Sequence, residues 1–78
     1  LILIKMKTFL IDYTITNINN VIESHTIRIK NCDSELHAKI KLNKYLIKHN
    51  KSNNLIINDC FDDSSGIFTI LKKVNPFK

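Results

Sequence analysis

The sequence predicts a small α+β domain of two layers in ββαβ order, and three observations carry that prediction. Residues 6–16 and 21–30 each alternate apolar and polar side chains with a period of two. Residues 33–49 (DSELHAKIKLNKYLIKH) repeat apolar side chains at helical spacing. A short apolar run, residues 55–61 (LIINDCF), follows a polar break. An antiparallel hairpin, one main helix packed across it and a third strand joining the sheet bury these apolar faces in two layers.

Each element has its own grounds. In the first strand Phe9, Ile11, Tyr13 and Ile15 point one way. Thr8, Asp12, Thr14 and Thr16 point the other, with Leu10 as the exception. Residues 17–20 (NINN) read as a turn, because Asn tolerates φ > 0 and bonds its own backbone. In the second strand Ile27 and Ile29 share a face with Val21, and Ser24, Thr26, Arg28 and Lys30 share the opposite one. Asp33 is the expected helix N-cap, with Glu35 in the first turn, Lys48 and His49 at the far end, and Glu35 to Lys39 as an i, i+4 pair. Two apolar strips run along the helix: Leu36, Ile40 and Ile47, and then Ala38, Leu42, Tyr45 and Leu46. Residues 50–54 (NKSNN) read as a loop. The apolar start of 55–61 suggests a central strand covered on both faces. After the break DDSSG, residues 67–74 fit a short helix capped by Ser64 or Ser65, the preferred reading, or a fourth strand. Asn75-Pro76 ends either one.

Seventy-eight residues make one domain, assigned here to residues 6–78. Residues 1–5, ahead of the more usual opening Met6-Lys7-Thr8-Phe9, read as an N-terminal extension that is non-native or disordered. A chain this short buries only about 60% of its extended surface, too little for a deep pocket around a large cofactor. No cofactor and no small-molecule substrate are expected. No apolar stretch approaches the length of a membrane span. Cys32 and Cys60 read as free thiols in a reducing, cytoplasmic setting.

The net charge of +5 favours anionic partners. Eleven of the twelve basic residues are Lys and only Arg28 is Arg, in a chain rich in Ile and Asn. AT-rich codons supply these residues, so part of the charge reflects codon usage. A site built for bidentate phosphate contacts would use more Arg.

The helix carries the leading candidate. His37, Lys41, Lys44 and Lys48, at i, i+4, i+7 and i+11, fall within roughly 60° of arc and could neutralise successive phosphates of a nucleic acid. The plainer reading is a solvated helix face, since no aromatic is interleaved for base stacking. Arg28 and Lys30, with Thr26 and Ser24, form a second basic surface on the open sheet face, also without exposed aromatics. The layer argument puts it behind the sheet, away from the helix stripe. Zinc is not expected: there is no C-x2-C pair, and the three His are scattered. Cys32 precedes a helix start, but Asp33 and Glu35 oppose a thiolate there. Asp59, Asp62 and Asp63 could hold a hard cation, although DD before SSG is more often a turn and cap signal. Ile67, Phe68, Ile70, Leu71 and Phe77 are more apolar residues than a short tail needs. They either cover the sheet face opposite the main helix or dock on a second copy or another protein.

The opening Met6-Lys7-Thr8-Phe9 strand and the hairpin leading into Ser34-Glu35-Leu36-His37-Ala38-Lys39, with its Lys-rich continuation, give the chain a likeness. It resembles the short open reading frames of tailed phages and related mobile elements from AT-rich genomes. That resemblance implies small size and a cytosolic host setting, and assigns no site residues. The leading expectation is a non-enzymatic module that binds phosphate backbones through His37, Lys41, Lys44 and Lys48, with Arg28 and Lys30 secondary. The alternative is an accessory or protein-interaction module acting through its apolar C-terminal segment.

Overall fold

The computed structural model of the chain describes residues 6–49, 54–72 and 74–77. The expected extension at 1–5 and most of the expected loop at 50–54 lie outside these residues. The element order is β1 (Lys7–Thr16), β2 (Ile22–Cys32), α1 (Glu35–Lys48), β3 (Asn54–Asp62), α2 (Ile67–Lys72) and β4 (Asn75–Phe77). The sheet runs β3-β1-β2-β4, with β1 antiparallel to both neighbours and β4 parallel to β2. The domain is α+β, with one main helix packed on the sheet.

The hairpin turn forms as the Asn run predicts. The Asn17 side-chain oxygen accepts from the N–H groups of Asn19 and Val21 at 2.8 and 3.1 Å, and Asn20 takes φ 60°. The alternation of β1 then decides its two faces. Phe9, Ile11, Tyr13 and Ile15 are buried beneath α1 together with Ile27 and Ile29. From the helix come Ala38, Leu42 and Leu46, all fully buried. Of the two apolar strips, α1 therefore buries the one containing its smallest residue, Ala38, where helix and sheet can approach most closely. The other strip, Leu36, Ile40 and Ile47, stays exposed.

Two bulges change which side chains face the core. On β2, Cys32 pairs with Lys7 and Ile29 with Phe9, so β2 holds one residue more than β1 between those pairs. Asn31, at φ 59°, is the left-handed residue that absorbs it. By strict alternation Cys32 would face away from Ile29; the bulge turns it into the core, where it is fully buried. On β3, Asp59 pairs with Asp12 but Ile57 with Tyr13, leaving Asn58 as the extra residue. Leu55 and Ile57 before the bulge and Cys60 after it therefore all pack toward the core.

The opposite sheet face is covered by α2. Leu10, an exception to the pattern of β1, is fully buried there. It pairs with Phe61 of β3, whose ring stacks on Phe68 of α2 at 5.4 Å. The preferred short helix over 67–74 forms as six residues, and β4, which the sequence did not suggest, follows it. Three further expectations are corrected. β3 is an edge strand rather than a central one, because β1 takes the middle of the sheet. Ser34, not Asp33, caps α1: its φ is extended and its hydroxyl accepts from the His37 N–H at 3.2 Å. At α2 the two short capping bonds go to Asp63 rather than to a serine, since Ser65 accepts only a long bond of 3.4 Å from the Ile67 N–H.

Candidate functional site

The four members of the helix stripe lie on one side of α1, yet two of them are engaged within the chain. The Asp33 N–H donates to His37 Nδ1 at 3.1 Å, which closes the cap that Ser34 opens. Lys41 Nζ donates to the carbonyls of Lys30 and Asn31 at 3.0 and 2.8 Å. It thereby satisfies the backbone beside the β2 bulge. Lys44 and Lys48 are exposed and have no partner among the described residues. Lys39 pairs with Glu35 at 3.2 Å, as their spacing predicts.

The second basic group is separate from the first. Arg28 pairs with Leu10 on β1 and faces away from α1, so the helix stripe and Arg28 lie on opposite sides of the sheet. Its Nε stands 3.9 Å from Asp63 Oδ2, buried and without a hydrogen-bond partner among the described residues. Lys30 is exposed near the end of β2. Arg28 is thus largely a structural cation, with Lys30 the freer of the two.

Asp63 is the residue whose part sequence reading missed. It is fully buried, and its oxygens accept from the Phe68 and Thr69 N–H groups at 3.0 and 3.1 Å. The Thr69 hydroxyl also donates to it. Its own N–H donates to the Thr8 carbonyl at 2.7 Å, which ties the start of the α2 segment to β1. The DD pair read as a turn; what marks the second Asp as an anchor is the Thr placed six residues on, where it and the helix start can converge on one carboxylate.

The acidic cluster disperses. Asp62 accepts from the Ser64 hydroxyl and N–H, Asp59 from the Cys60 N–H, and Asp63 is committed to α2. Among the described residues no group of three His, Cys, Asp or Glu stands together to hold a metal. Beside α2, Asp12 accepts from the Thr26 hydroxyl at 2.6 Å and from Lys72 Nζ at 2.8 Å. Burial pushes the Asp12 carboxyl up, but the Lys72 ammonium and the Thr26 hydroxyl outweigh it and hold the group below its ordinary value.

Both thiols are free, and both are poor nucleophiles. Burial pushes the Cys60 thiol up to about 11, with the Glu35 carboxylate adding to the effect. Burial also raises Cys32, against the pull of the Lys41 ammonium. A thiolate mechanism at the start of α1 has no support in this geometry.

The C-terminal apolar residues divide. Phe68 turns toward the sheet to stack on Phe61, while Ile67, Ile70 and Leu71 point outward. Phe77 lies in β4. Among the described residues no helix is long and apolar enough to cross a membrane. Compared with known proteins, the chain matches no family model, no curated protein and no solved structure.

Proposed function

We propose that the protein is a binding module whose working surface is the outward ridge of α2, fitted to an apolar groove on a partner protein. One observation carries this reading: Ile70 and Leu71 are 77% and 74% exposed on a helix that is itself held firmly. The Asp63 carboxylate fixes its first turn, the Phe61–Phe68 stack its inner side, and the Lys72–Asp12 pair its end. A preordered helix that presents apolar side chains at i, i+3 and i+4 suits helix-in-groove recognition, with little ordering cost on binding. The net charge of +5 favours an acidic rim around that groove.

The test is a photo-crosslinking amino acid placed at Ile70 in the intact chain, in cells that express it. The expected result is one dominant crosslinked protein, weakened when Leu71→Glu is added. Crosslinking no stronger at Ile70 than at Lys44, on the far side of the sheet, would reject the reading.

A second reading, binding of nucleic-acid phosphates, rests on Lys44 and Lys48, exposed one helical turn apart. Such binding weakens steeply with salt, and Lys44→Glu/Lys48→Glu should shrink the salt slope by about two phosphate contacts. Unchanged affinity in that double variant would remove this reading.

A further inference from the structure

The side of α1 turned away from the sheet carries its own pattern. At about 100° per residue, Leu36, Ile40 and Ile47 centre roughly 140° around the helix from the buried row of Ala38, Leu42 and Leu46. Leu36 and Ile47 are 67% and 64% exposed, and Ile40 is 44% exposed. With Asn43, also exposed, these residues follow one another at intervals of four, three and four. That spacing is the d-a-d-a row of a heptad, the row that one helix offers to another. A polar side chain inside such a row fixes register at some cost in affinity, which is the place Asn43 holds.

The charge beside this row has one sign. Lys44 stands at i+4 from Ile40 and i−3 from Ile47, and Lys48 follows Lys44 at i+4. Both ammoniums are exposed and without a partner among the described residues. The carboxylates of α1 and its cap are engaged elsewhere: Glu35 pairs with Lys39 and Asp33 with His37, each at 3.2 Å. A second copy of this face would set Lys44 against Lys39 in parallel pairing, and against Lys44 or His37 in antiparallel pairing. Like charge therefore opposes self-association through it.

We propose that this face docks one amphipathic helix of another protein, with Leu or Ile along its inner row and Asp or Glu on the flank that meets Lys44 and Lys48. It is a second surface, across the sheet from the α2 ridge, and it stands independently of that reading. The apolar row favours a protein helix over nucleic acid, whose phosphates would use the two lysines but gain nothing from Leu36 and Ile40. The row is also too narrow for a lipid surface, because interfacial helices bury a broad apolar face and Asn43 sits in the middle of this one. A single row of contacts with no groove around it makes this the weaker of the two surfaces, with fast exchange.

The probe is a stapled helical peptide with Leu on its inner row and Glu on both flanks, labelled for fluorescence anisotropy against the full chain. Its control carries Lys in place of every Glu. The expected result is saturable binding of the Glu peptide, at least about tenfold tighter than of the Lys peptide. Leu36→Gln/Ile47→Gln should weaken it at least about tenfold with the far-ultraviolet dichroism unchanged, since both side chains are exposed and Gln keeps helix propensity. Lys44→Glu/Lys48→Glu should reverse the preference toward the Lys peptide, a gain that loss of folding cannot mimic. Equal affinity for the two peptides, or affinity unchanged in Leu36→Gln/Ile47→Gln, overturns the proposal. So does tighter binding to duplex DNA or to vesicles of anionic phospholipid than to the Glu peptide, which would assign the face to phosphate. Loss of Glu-peptide binding in Ile70→Glu/Leu71→Glu, with binding kept in Leu36→Gln/Ile47→Gln, would overturn it by moving the docking to α2. Retention in the α2 variant keeps the two surfaces distinct.

Discussion

The two faces of the sheet are held by different physics. Under α1 the contacts are apolar and close-packed: Ile11, Ile29, Leu42 and Leu46 all lose their entire surface within one buried apolar cluster. Under α2 the cover is thin and directional. It consists of a buried carboxylate, an ion pair, one ring stack and Leu10. Apolar packing is proportional to area and indifferent to angle, so it tolerates small shifts. A buried carboxylate that accepts three bonds is worth much when satisfied and costs much when one partner goes. The first face supplies the stability of the domain, and the second supplies the orientation of α2.

The largest effect should come from breaking the first face. Leu42→Ala removes a fully buried side chain from the centre of α1 and leaves a cavity in the apolar cluster beneath the helix. The expected loss is about 2–5 kcal/mol. A chain of this length has about 4–12 kcal/mol in all. Urea titration followed by dichroism should therefore show the variant unfolding globally at much lower denaturant. A loss below about 1 kcal/mol would mean that α1 is not the main source of stability.

Asp63→Asn should cost less and act locally. One oxygen remains to cap α2, but the Phe68 N–H, the Thr69 N–H, the Thr69 hydroxyl and Arg28 no longer share a carboxylate. The expected cost is about 1–3 kcal/mol. Hydrogen exchange should quicken at Ile70, whose N–H bonds back to the Gly66 carbonyl, while β1 and β2 keep their protection. Equal acceleration in both regions would mean that the two faces unfold as one unit.

The same contrast explains which features were legible in the sequence. Alternation in residues 9–15 and 27–29 defined the α1 face, because burial on one side of a strand leaves a period of two. Helical spacing identified α1 but offered two apolar strips, and nothing local decides which meets the sheet. The bulges at Asn31 and Asn58 were illegible because strict alternation presumes an unbroken ladder, and each bulge reverses the parity beyond it. The buried pairing of Asp63 with Arg28 was hidden because its partners are far apart in the chain and DDSSG has a sufficient local meaning as a turn. β4 spans three residues, includes Pro76 and borrows its order from β2, so no periodicity could announce it. Of the site, the spacing of His37, Lys41, Lys44 and Lys48 correctly gave a shared side of α1. What it could not give was the engagement of His37 by the cap and of Lys41 by the bulge carbonyls.

The smallest effect belongs to the Asp12–Lys72 pair, and pH isolates it. The Asp12 carboxyl is held below its ordinary 3.8 in the folded chain. A depressed carboxyl stabilises the fold above its unfolded value, and that contribution is lost as pH falls through the lower folded value. Lys72 is 38% exposed, so solvent screens the pair and its contribution near neutral pH is about 0.5 kcal/mol. Lys72→Met should therefore lower stability by that amount near neutral pH and have no effect in acid below the depressed folded value, where the carboxyl is protonated with or without Lys72. Parallel urea titrations at the two pH values measure the difference. If the gap between variant and parent stayed constant through the acid range, Lys72 would be acting through its packing over the Phe61 ring, 5.4 Å away, rather than through charge on Asp12. The α2 face would then depend less on hydrogen-bonded charge than its geometry implies, and the contrast between the two faces would rest on Asp63 alone.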